Sequence, residues 1–340
     1  MQSIAKPLLK WFDQHGRHTL PWQSSPANVY HVWLSEIMLQ QTQVSTVINY
    51  FNNFIQKFPT LSALANGSED EVLAQWAGLG YYARARNLHA CAKIIINTYR
   101  GDFPTDFEQV VGLPGVGEST AGAILSISYG QTHAILDGNV KRVLSRYHQV
   151  TGHYGQSKTL KELWHLARQH TPSMRNGDYT QAIMDLGATL CTRSNPRCSC
   201  CPIKDDCQAQ QHNTQAEYPN PKPKKNKPSR SIAMLIYLNE HQHIYLQKRP
   251  AKGIWGGLWS FIECDDNRQS ISQTIQKFSP DAYIEKSLPA IKHSFTHYHL
   301  LINPIVVNCP DRTKDFRALS ELNIGLPTPV SKIVRQLQLD

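Results

Sequence analysis

Four cysteines, Cys191, Cys198, Cys201 and Cys207, lie within seventeen residues with the spacing C-x6-C-x2-C-x5-C. Thiolates this close in sequence can bind one soft metal centre without ligands from elsewhere in the chain. A zinc ribbon usually has two C-x2-C pairs, whereas this loop has one pair between two single cysteines. We therefore expect a [4Fe-4S] cluster, with zinc, disulfides and buried free thiols as alternatives, and Cys200 as a bystander.

Length and charge limit the class of protein. With 340 residues the chain exceeds one ordinary domain, so two domains are expected. Thirty-five Lys and Arg against 26 Asp and Glu give a net charge of +9, which favours a polyanionic partner such as nucleic acid. Lys6, Lys10 and Asp13 interrupt the apolar N-terminus, and no apolar run approaches a membrane span. We expect a monomer in a reducing, bacterial-type cytoplasm, without membrane association.

Hydrophobic spacing divides the chain into a helical and a mixed part. Apolar residues recur at helical intervals in residues 29–39, 44–58, 82–99, 119–128, 140–147 and 179–190. Four prolines and five basic residues in the stretch 217–230 predict a linker. Beyond it, the pattern predicts strands at 232–238, 244–247, 259–262 and 299–307, and helices at 270–278 and 331–337. The expected domains are a helical one (1–210), a basic linker (211–230) and a smaller α+β one (231–340).

The segment LPGVG (residues 113–117) joins two predicted helices, which indicates a tight hairpin. Its glycines would leave backbone N–H groups free to bind phosphate at the start of the second helix, without reading base sequence. Taken alone, an ordinary Pro-Gly turn is the better explanation, because such turns are common.

The turn GLGYY (residues 78–82) places two aromatic residues before a basic helix. Side chains at such a turn can wedge into a base stack. Tyrosines in the core and solvated arginines are the plainer alternative, and the turn alone favours it.

Two carboxylates stand in distinctive positions. Glu36 lies in the helix of residues 29–39 beside Val32, Trp33 and Leu39, where desolvation would hold its proton near neutral pH, as a general acid requires. A snorkelling or core-edge glutamate is an equal alternative. Asp137 follows an apolar run and precedes a predicted helix, so it or Asn139 can simply cap that helix. If Asp137 lies beside Glu36, the two form a site suited to cleavage of a glycosidic bond.

Several segments together carry a family resemblance: LSEIMLQQTQV (34–44), GLGYYARARN (78–87), LPGVGESTAGAILS (113–126), ILDGNVKRVL (135–144) and the cysteine loop (191–207). They resemble the helix-hairpin-helix, Gly-Pro-Asp superfamily of DNA glycosylases, and within it the MutY-type adenine DNA glycosylases. The resemblance implies an all-α helix-hairpin-helix domain with an iron-sulfur cluster loop, then an α+β Nudix-like domain. It also implies base excision repair, with adenine opposite 8-oxoguanine or guanine in duplex DNA as the target.

The resemblance also implies residue roles. Glu36 would protonate the flipped adenine at N7, Asp137 would stabilise the sugar cation, and Asn139 would support Asp137. Further residues match family positions that bind substrate or DNA: Trp22 and Gln181 in the adenine pocket, Gln41, Thr42, Leu79 and Tyr81 at the wedge and 8-oxoguanine, and Gly115 and Gly117 at phosphate. Ser119 stands where endonuclease III-type relatives carry a catalytic lysine, so little or no lyase activity is expected.

The C-terminal part resembles a Nudix fold around GIWGGLW (residues 253–259). Between Cys264 and Pro280 it has no glutamate, so a metal-dependent pyrophosphatase is the weakest alternative function. The resemblance instead implies recognition of 8-oxoguanine, with Phe295, Thr296 and His297 matching a Phe-Ser-His contact. Two further functions stay open: an endonuclease III-like lyase, and a DNA-binding iron-sulfur protein without catalysis.

Overall fold

The computed structural model describes residues 3–222, 226–310 and 314–338. Its contacts divide the chain into two units, one comprising residues 1–66 and 87–224 and the other residues 67–86 and 225–340. A segment from the helical part of the sequence, residues 67–86, therefore belongs to the same unit as the C-terminal part. Residues 223–225 of the predicted linker lie outside the described residues.

Helices dominate the stretch of residues 3–222. They are α1 Ala5–His15, α2 Val29–Leu39, α3 Val44–Lys57, α4 Leu61–Asn66, α5 Glu69–Gln75, α6 Ala83–Tyr99, α7 Phe107–Val111, α8 Glu118–Tyr129, α9 Gly138–Tyr147, α10 Ser157–His170, α11 Asn176–Thr189 and α12 Gln208–Gln211. Hydrophobic spacing predicted α2 at its observed bounds and did not single out α1 or α10.

The core of the first unit forms around α11. This helix packs against α1, α8 and α9, and its buried face includes Ala182, Ile183 and Leu186. Leu8 of α1 and Leu144 of α9 belong to the same fully buried cluster. Because α11 contacts α1 near the N-terminus as well as α8 and α9, it brings together polar residues that are distant in sequence.

Side-chain caps fix where several helices begin. Asn28 accepts hydrogen bonds from the N–H groups of Tyr30 and His31 at the start of α2. Asp137 accepts one from Val140 at the start of α9, and Asp106 caps α7 in the same way. Such caps satisfy N–H groups that have no partner inside the helix. They set the bounds of the helices that carry the candidate carboxylates.

The second unit contains a mixed sheet. Its strands are β1 Ser229–Leu238, β2 Ile244–Tyr245, β3 Gln247–Lys248, β4 Trp259–Ser260, β5 Ile262–Asp265, β6 Tyr283–Ser287, β7 Ile291–Ser294, β8 His299–Asn308 and β9 Phe316–Arg317. The main sheet has the order β6-β8-β1-β2-β9, with β5 on β1 and β7 on β8, while β3 and β4 form a separate pair. β1 and β8 run parallel along their whole length, from Ser229 opposite His299 to Leu238 opposite Asn308.

Two helices complete the second unit, α13 Arg268–Phe278 and α14 Thr328–Leu337. Phe278 of α13 stacks on Tyr237 of β1 with ring centroids 3.9 Å apart, which packs that helix against the sheet. The predicted strand at 244–247 is divided between two sheets. The order of a helical part followed by an α+β part is confirmed. Across the described residues, the structure contains no helix with the length and apolarity needed to span a membrane.

Candidate active site

A cavity of about 1470 Å³ in the first unit brings the two candidate carboxylates together. Glu36, on α2, and Asp137, at the start of α9, both line it. The packing of α2 and α11 against α8, and of α9 against α11, accounts for this meeting, because the two residues are far apart in sequence. The predicted pairing therefore has a structural basis in one shared cavity.

Glu36 stands among apolar neighbours. Val32, Trp33 and Ile37 on the same helix are buried, which removes water from around its carboxyl group. Burial, with a smaller contribution from the negative charge of Asp137, raises the pKa of Glu36 to about 8. A carboxyl group with this pKa holds its proton at neutral pH and can act as a general acid.

Asp137 is both a helix cap and a cavity residue. One carboxylate oxygen accepts a hydrogen bond of 2.7 Å from the N–H of Val140, and the other accepts one of 3.2 Å from Asn139 Nδ2. Burial raises the pKa of Asp137, while these bonds and the charge of Arg142 act in the opposite direction. The bonds favour the ionised form, so Asp137 is the member of the pair suited to carry the negative charge.

The side chain of Asn139 is held in place by a hydrogen bond from Arg142. Arg142 Nη2 donates to Asn139 Oδ1 at 2.8 Å and to the carbonyl of Gly187 at 2.7 Å, while its Nε donates to the carbonyl of Cys191 at 2.7 Å. A Cβ at Gly187 would lie 2.5 Å from Asn139 Cβ, so only glycine permits this approach. Arg142 thereby ties the Asp137 cap to α11 and to the cysteine loop.

Trp22 and Gln181 line the same cavity as the carboxylates. Trp22 is buried and packs edge-on against Phe51, with ring centroids 5.5 Å apart. Gln181 lies on α11 and accepts a hydrogen bond from Gln23. The structure therefore brings these two predicted pocket residues to the site of Glu36 and Asp137.

The rim of the cavity includes Gln41, Thr42, Gly117 and Ser119. Gln41 has a positive φ of 59°, which marks a sharp turn after α2. Ser119 Oγ accepts a hydrogen bond of 2.9 Å from the N–H of Leu136, which fixes the hydroxyl beside the Asp137 segment. Gln41, Thr42, Gly117 and Ser119 therefore lie around one cavity of the first unit.

The hairpin of residues 113–117 connects α7 and α8. Gly115 has a φ of 79° and would place a Cβ 2.9 Å from Asn87 Cβ, so the turn requires glycine there. Gly117 occupies the N-cap position of α8, with open space around it. The N–H groups at this helix start are the predicted phosphate contacts.

Leu79 and Tyr81 belong to the second unit and are not part of the cavity lining. Tyr81 is half exposed with a φ of 50°, whereas Leu79 is buried. Arg84 lies under this turn: its guanidinium is 5.4 Å from the Tyr81 ring centroid and 5.3 Å from that of Trp76. The turn thus exposes the Tyr81 ring to solvent, with the Arg84 guanidinium packed beneath it.

Within the second unit, residues 67–86 contact the GIWGGLW segment. Arg86 Nη1 donates to the carbonyl of Gly256, and Lys248 Nζ lies 2.7 Å from Asp70 Oδ1. Tyr82 donates its hydroxyl proton to the carbonyl of Leu326 at 3.2 Å. The turn that carries Tyr81 is therefore built into the same unit as the sheet.

Phe295, Thr296 and His297 form the turn between β7 and β8. The Phe295 ring packs against Trp255 at 5.3 Å, while Thr296 and His297 are exposed. Trp255 has a φ of 55°, an unusual conformation for a bulky residue and one that costs about 1–3 kcal/mol. The predicted recognition turn thus rests on a strained aromatic residue.

The four loop cysteines line one small cavity beside α9 and α11. Arg146 Nη1 donates to Cys191 Sγ at 3.4 Å and to the carbonyl of Thr192 at 2.7 Å. All eight cysteines are free thiols, so the four loop cysteines are not paired in disulfide bonds. Across residues 3–222, 226–310 and 314–338, no three or more His, Cys, Asp or Glu side chains are grouped as ligands of a single metal ion.

Some site residues carried no local signal in the sequence. Arg142, Arg146 and Gln23 act through hydrogen bonds to residues 45 to 158 positions away, and Trp255 is set apart by its backbone conformation. A glycine-rich turn around Trp255 was the one available hint of that conformation.

Comparison with known proteins identifies two matching family models. Residues 34–169 match the HhH-GPD superfamily base excision DNA repair proteins, and residues 233–336 match the NUDIX domain. The adenine DNA glycosylase of Buchnera aphidicola subsp. Acyrthosiphon pisum is 37% identical over 340 residues, covering 97% of this chain and 96% of that protein. The adenine DNA glycosylase of Homo sapiens is 35% identical, covering 86% of this chain and 64% of that protein.

Solved structures agree for the helical part. A thermostable thymine-DNA glycosylase superimposes with a TM-score of 0.53 at 25% identity, covering 61% of this chain and 95% of its own. Endonuclease III in a non-covalent DNA complex has the same TM-score at 20% identity, covering 63% of this chain and 100% of its own, which supports the fold alone. The chain therefore belongs to the adenine DNA glycosylases of the HhH-GPD superfamily, hydrolases that act on N-glycosyl bonds in base excision repair.

Proposed function

We propose that this enzyme excises adenine opposite 8-oxoguanine or guanine in duplex DNA, and that it cleaves only the glycosidic bond. One observation carries the proposal: Glu36 and Asp137 line one cavity, and burial together with the Asp137 charge raises the pKa of Glu36 to about 8. This gives an acid and an anion in one site, the pair that departure of a base from a sugar requires. The adenine leaves the stack first, because its glycosidic bond is inaccessible inside the helix.

In the proposed reaction, the Glu36 carboxyl group donates its proton to N7 of the flipped adenine. The glycosidic bond breaks, the neutral base leaves, and positive charge develops on the sugar. Asp137 stabilises this charge, oriented by the bonds from Val140 and Asn139, until water attacks the sugar carbon and passes its proton to the Glu36 carboxylate. Proton donation of this kind contributes about 10²- to 10⁴-fold to the rate.

Ser119 supports a monofunctional enzyme. A lyase of this superfamily needs an amine that attacks the sugar carbon, and Ser119 has a hydroxyl that is already bonded to the N–H of Leu136. The described residues that line the cavity include no lysine. Strand breaks at the product should therefore need added alkali.

We assign the remaining contacts by exposure and position. The backbone at Gly115 and Gly117 would bind phosphate at the start of α8. Gln41 and Thr42 of the first unit, and Leu79 and Tyr81 of the second, are assigned to DNA by the family positions they match, with Tyr81 as the exposed ring. In the proposed domain of residues 231–340, the turn of Phe295, Thr296 and His297 would contact the 8-oxoguanine.

We propose that the loop cysteines 191, 198, 201 and 207 hold a [4Fe-4S] cluster. The donor set fits, because four free thiols line one cavity and would hold a cluster that has several metal atoms, so the sulfurs need not surround a single ion. The cluster would supply a rigid closure of the loop next to the Arg142 and Arg146 contacts, since hydrolysis is redox-neutral.

The cluster proposal has an internal control. Cys198→Ser should abolish the visible absorbance and reduce bound iron, whereas Cys200→Ser, at an exposed cysteine next to the ligand set, should leave both unchanged. Zinc in place of iron in the purified protein, or equal loss in both variants, would overturn the assignment.

The function is tested on duplexes with adenine opposite 8-oxoguanine, guanine or thymine. Wild type and Glu36→Gln are incubated with each, with and without subsequent alkali. The proposal predicts alkali-dependent breaks at adenine with the first two duplexes and their loss in the variant. Breaks without alkali would indicate a lyase, and equal breaks opposite thymine would remove the proposed mispair preference.

A further inference from the structure

The segment between α1 and α2 is fixed to one face of α11. Asp185 accepts hydrogen bonds of 2.8 Å from both the backbone N–H and the Nε of Arg17. Gln23 Nε2 donates to Gln181 Oε1 at 2.6 Å. Gln181 and Asp185 are four residues apart, so they lie one turn from each other on the same side of α11. All four residues line the cavity of Glu36 and Asp137.

The bonds of Gln23 determine which way its amide points. Its Oε1 accepts from the N–H of Leu20 at 2.9 Å, and a backbone N–H can only donate. Its Nε2 donates to the carbonyl of Arg17 at 2.8 Å, and a carbonyl can only accept. The second hydrogen on Nε2 is the one directed at Gln181. The orientation of Gln23 is therefore set by two backbone groups that cannot exchange roles.

This fixes the orientation of Gln181 as well. Its Oε1 must be the atom that faces Gln23, because Gln23 offers a donor there. Its Nε2 is left as the free end of the amide, and within the described residues it has no acceptor. The cavity thus receives a hydrogen-bond donor from Gln181, not an acceptor.

A donor at this place distinguishes the two purines. N3 and N7 accept hydrogen bonds in both bases, but N1 is an acceptor in adenine and carries a hydrogen in guanine. We propose that Gln23 is a positioning residue that holds the Gln181 amide so that Nε2 donates to N1 of the extruded adenine. The assignment rests on the proposed function, because it takes the cavity of Glu36 and Asp137 as the pocket of that base. With guanine in the pocket, its N1–H and the N–H of Gln181 Nε2 would face each other as two donors, which leaves a desolvated N–H group without an acceptor.

The test measures single-turnover excision of adenine and of 1-deazaadenine, which has a C–H at position 1. The substrates are compared in wild type, in Gln23→Met and in a control, Gln14→Met, at an exposed glutamine on α1. Differences in intrinsic reactivity between the two bases are the same for every variant and cancel in the comparison. Loss of one hydrogen bond predicts that the adenine to 1-deazaadenine rate ratio falls about tenfold in Gln23→Met. The control should keep the wild-type ratio.

A merely structural role would lower both rates by the same factor, and an unchanged ratio would overturn the proposal. Gln23→Glu provides a second variant, because it keeps an acceptor for the N–H of Leu20 and changes the group that faces Gln181; it too should lower the ratio. The measurement is made opposite 8-oxoguanine and opposite guanine. Absence of excision opposite 8-oxoguanine alone would contradict the proposed mispair preference, while the ratio opposite guanine would still decide the role of Gln23.

Discussion

The carboxylate cavity of the first unit and the recognition turn of the second unit are built differently. In the cavity, Glu36 is an ionisable group on α2, and Asp137 is one that caps α9 and is held by the N–H of Val140 and the side chain of Asn139. The recognition turn is a set of aromatic and hydroxyl side chains on loops, above a Trp255 with left-handed backbone. Under the proposed function, the two regions would have separate tasks: the cavity would set the rate at which adenine is excised, and the turn would set the preference for the base opposite adenine.

The backbone supports this contrast. Asp137 begins α9 by the bonding that any N-cap uses, so its position adds no strain. Trp255 keeps an unfavourable φ, and conformations of this kind persist where the surrounding structure requires them. Substitutions should accordingly separate rate from selectivity.

The largest effect is expected from Asp137→Asn. Asparagine is an equally good N-cap, so α9 should remain, but the negative charge beside the developing cation is lost. We predict a fall of about 10³-fold in the single-turnover rate of adenine excision, with the melting temperature nearly unchanged. Asp106→Asn, the same change at the cap of α7, should retain the full rate. A retained rate in Asp137→Asn would contradict the role of the cavity.

Glu36→Gln should lose activity and gain stability. The pKa of Glu36 is raised to about 8 in the folded protein, above the ordinary glutamate value of the unfolded chain. Folding therefore becomes less favourable as the pH rises from about 4.5 to about 8, because the unfolded chain ionises first. We predict a gain of about 4 kcal/mol in unfolding free energy at pH 8, fading towards pH 4, by urea denaturation. Glu108→Gln, at an exposed glutamate, should show no gain.

A smaller effect, and one of selectivity, is expected at Thr296. Thr296→Val removes the hydroxyl but keeps the shape, so the preference for 8-oxoguanine over guanine opposite adenine should fall about fivefold. The excision rate opposite guanine should not change. Thr296→Ser should keep the preference because it keeps the hydroxyl. Equal losses of excision rate opposite 8-oxoguanine and opposite guanine in Thr296→Val would contradict the separate roles of the cavity and the turn.

Local patterns were enough to predict much of the helical unit. The apolar spacing of residues 29–39 predicted the bounds of α2, and the apolar run that ends before Asp137 indicated the start of α9. The burial of Glu36 followed from its neighbours on the same helix. That its pKa also responds to Asp137 depends on the packing of helices about 100 residues apart, which a single sequence does not encode locally.

The second unit was harder to predict. The paired residues of the parallel strands β1 and β8 are about 70 positions apart in sequence, and no local pattern predicts their register. The sequence pattern predicted residues 67–86 as part of the helical domain. The structure places them in the second unit, where Arg86 donates to the carbonyl of Gly256 and Asp70 pairs with Lys248. The amide network of Gln23 was missed for the same reason, because its partner on α11 is 158 positions away.

The most direct test of the two-carboxylate account is the pH dependence of single-turnover adenine excision. The rate should hold near neutral pH and fall above about pH 8, as Glu36 loses its proton. In Asp137→Asn the remaining rate should fall at a lower pH, because the charge that helps to raise the pKa of Glu36 is gone. A wild-type rate that stays level through pH 9, or a midpoint unmoved in Asp137→Asn, would contradict the account.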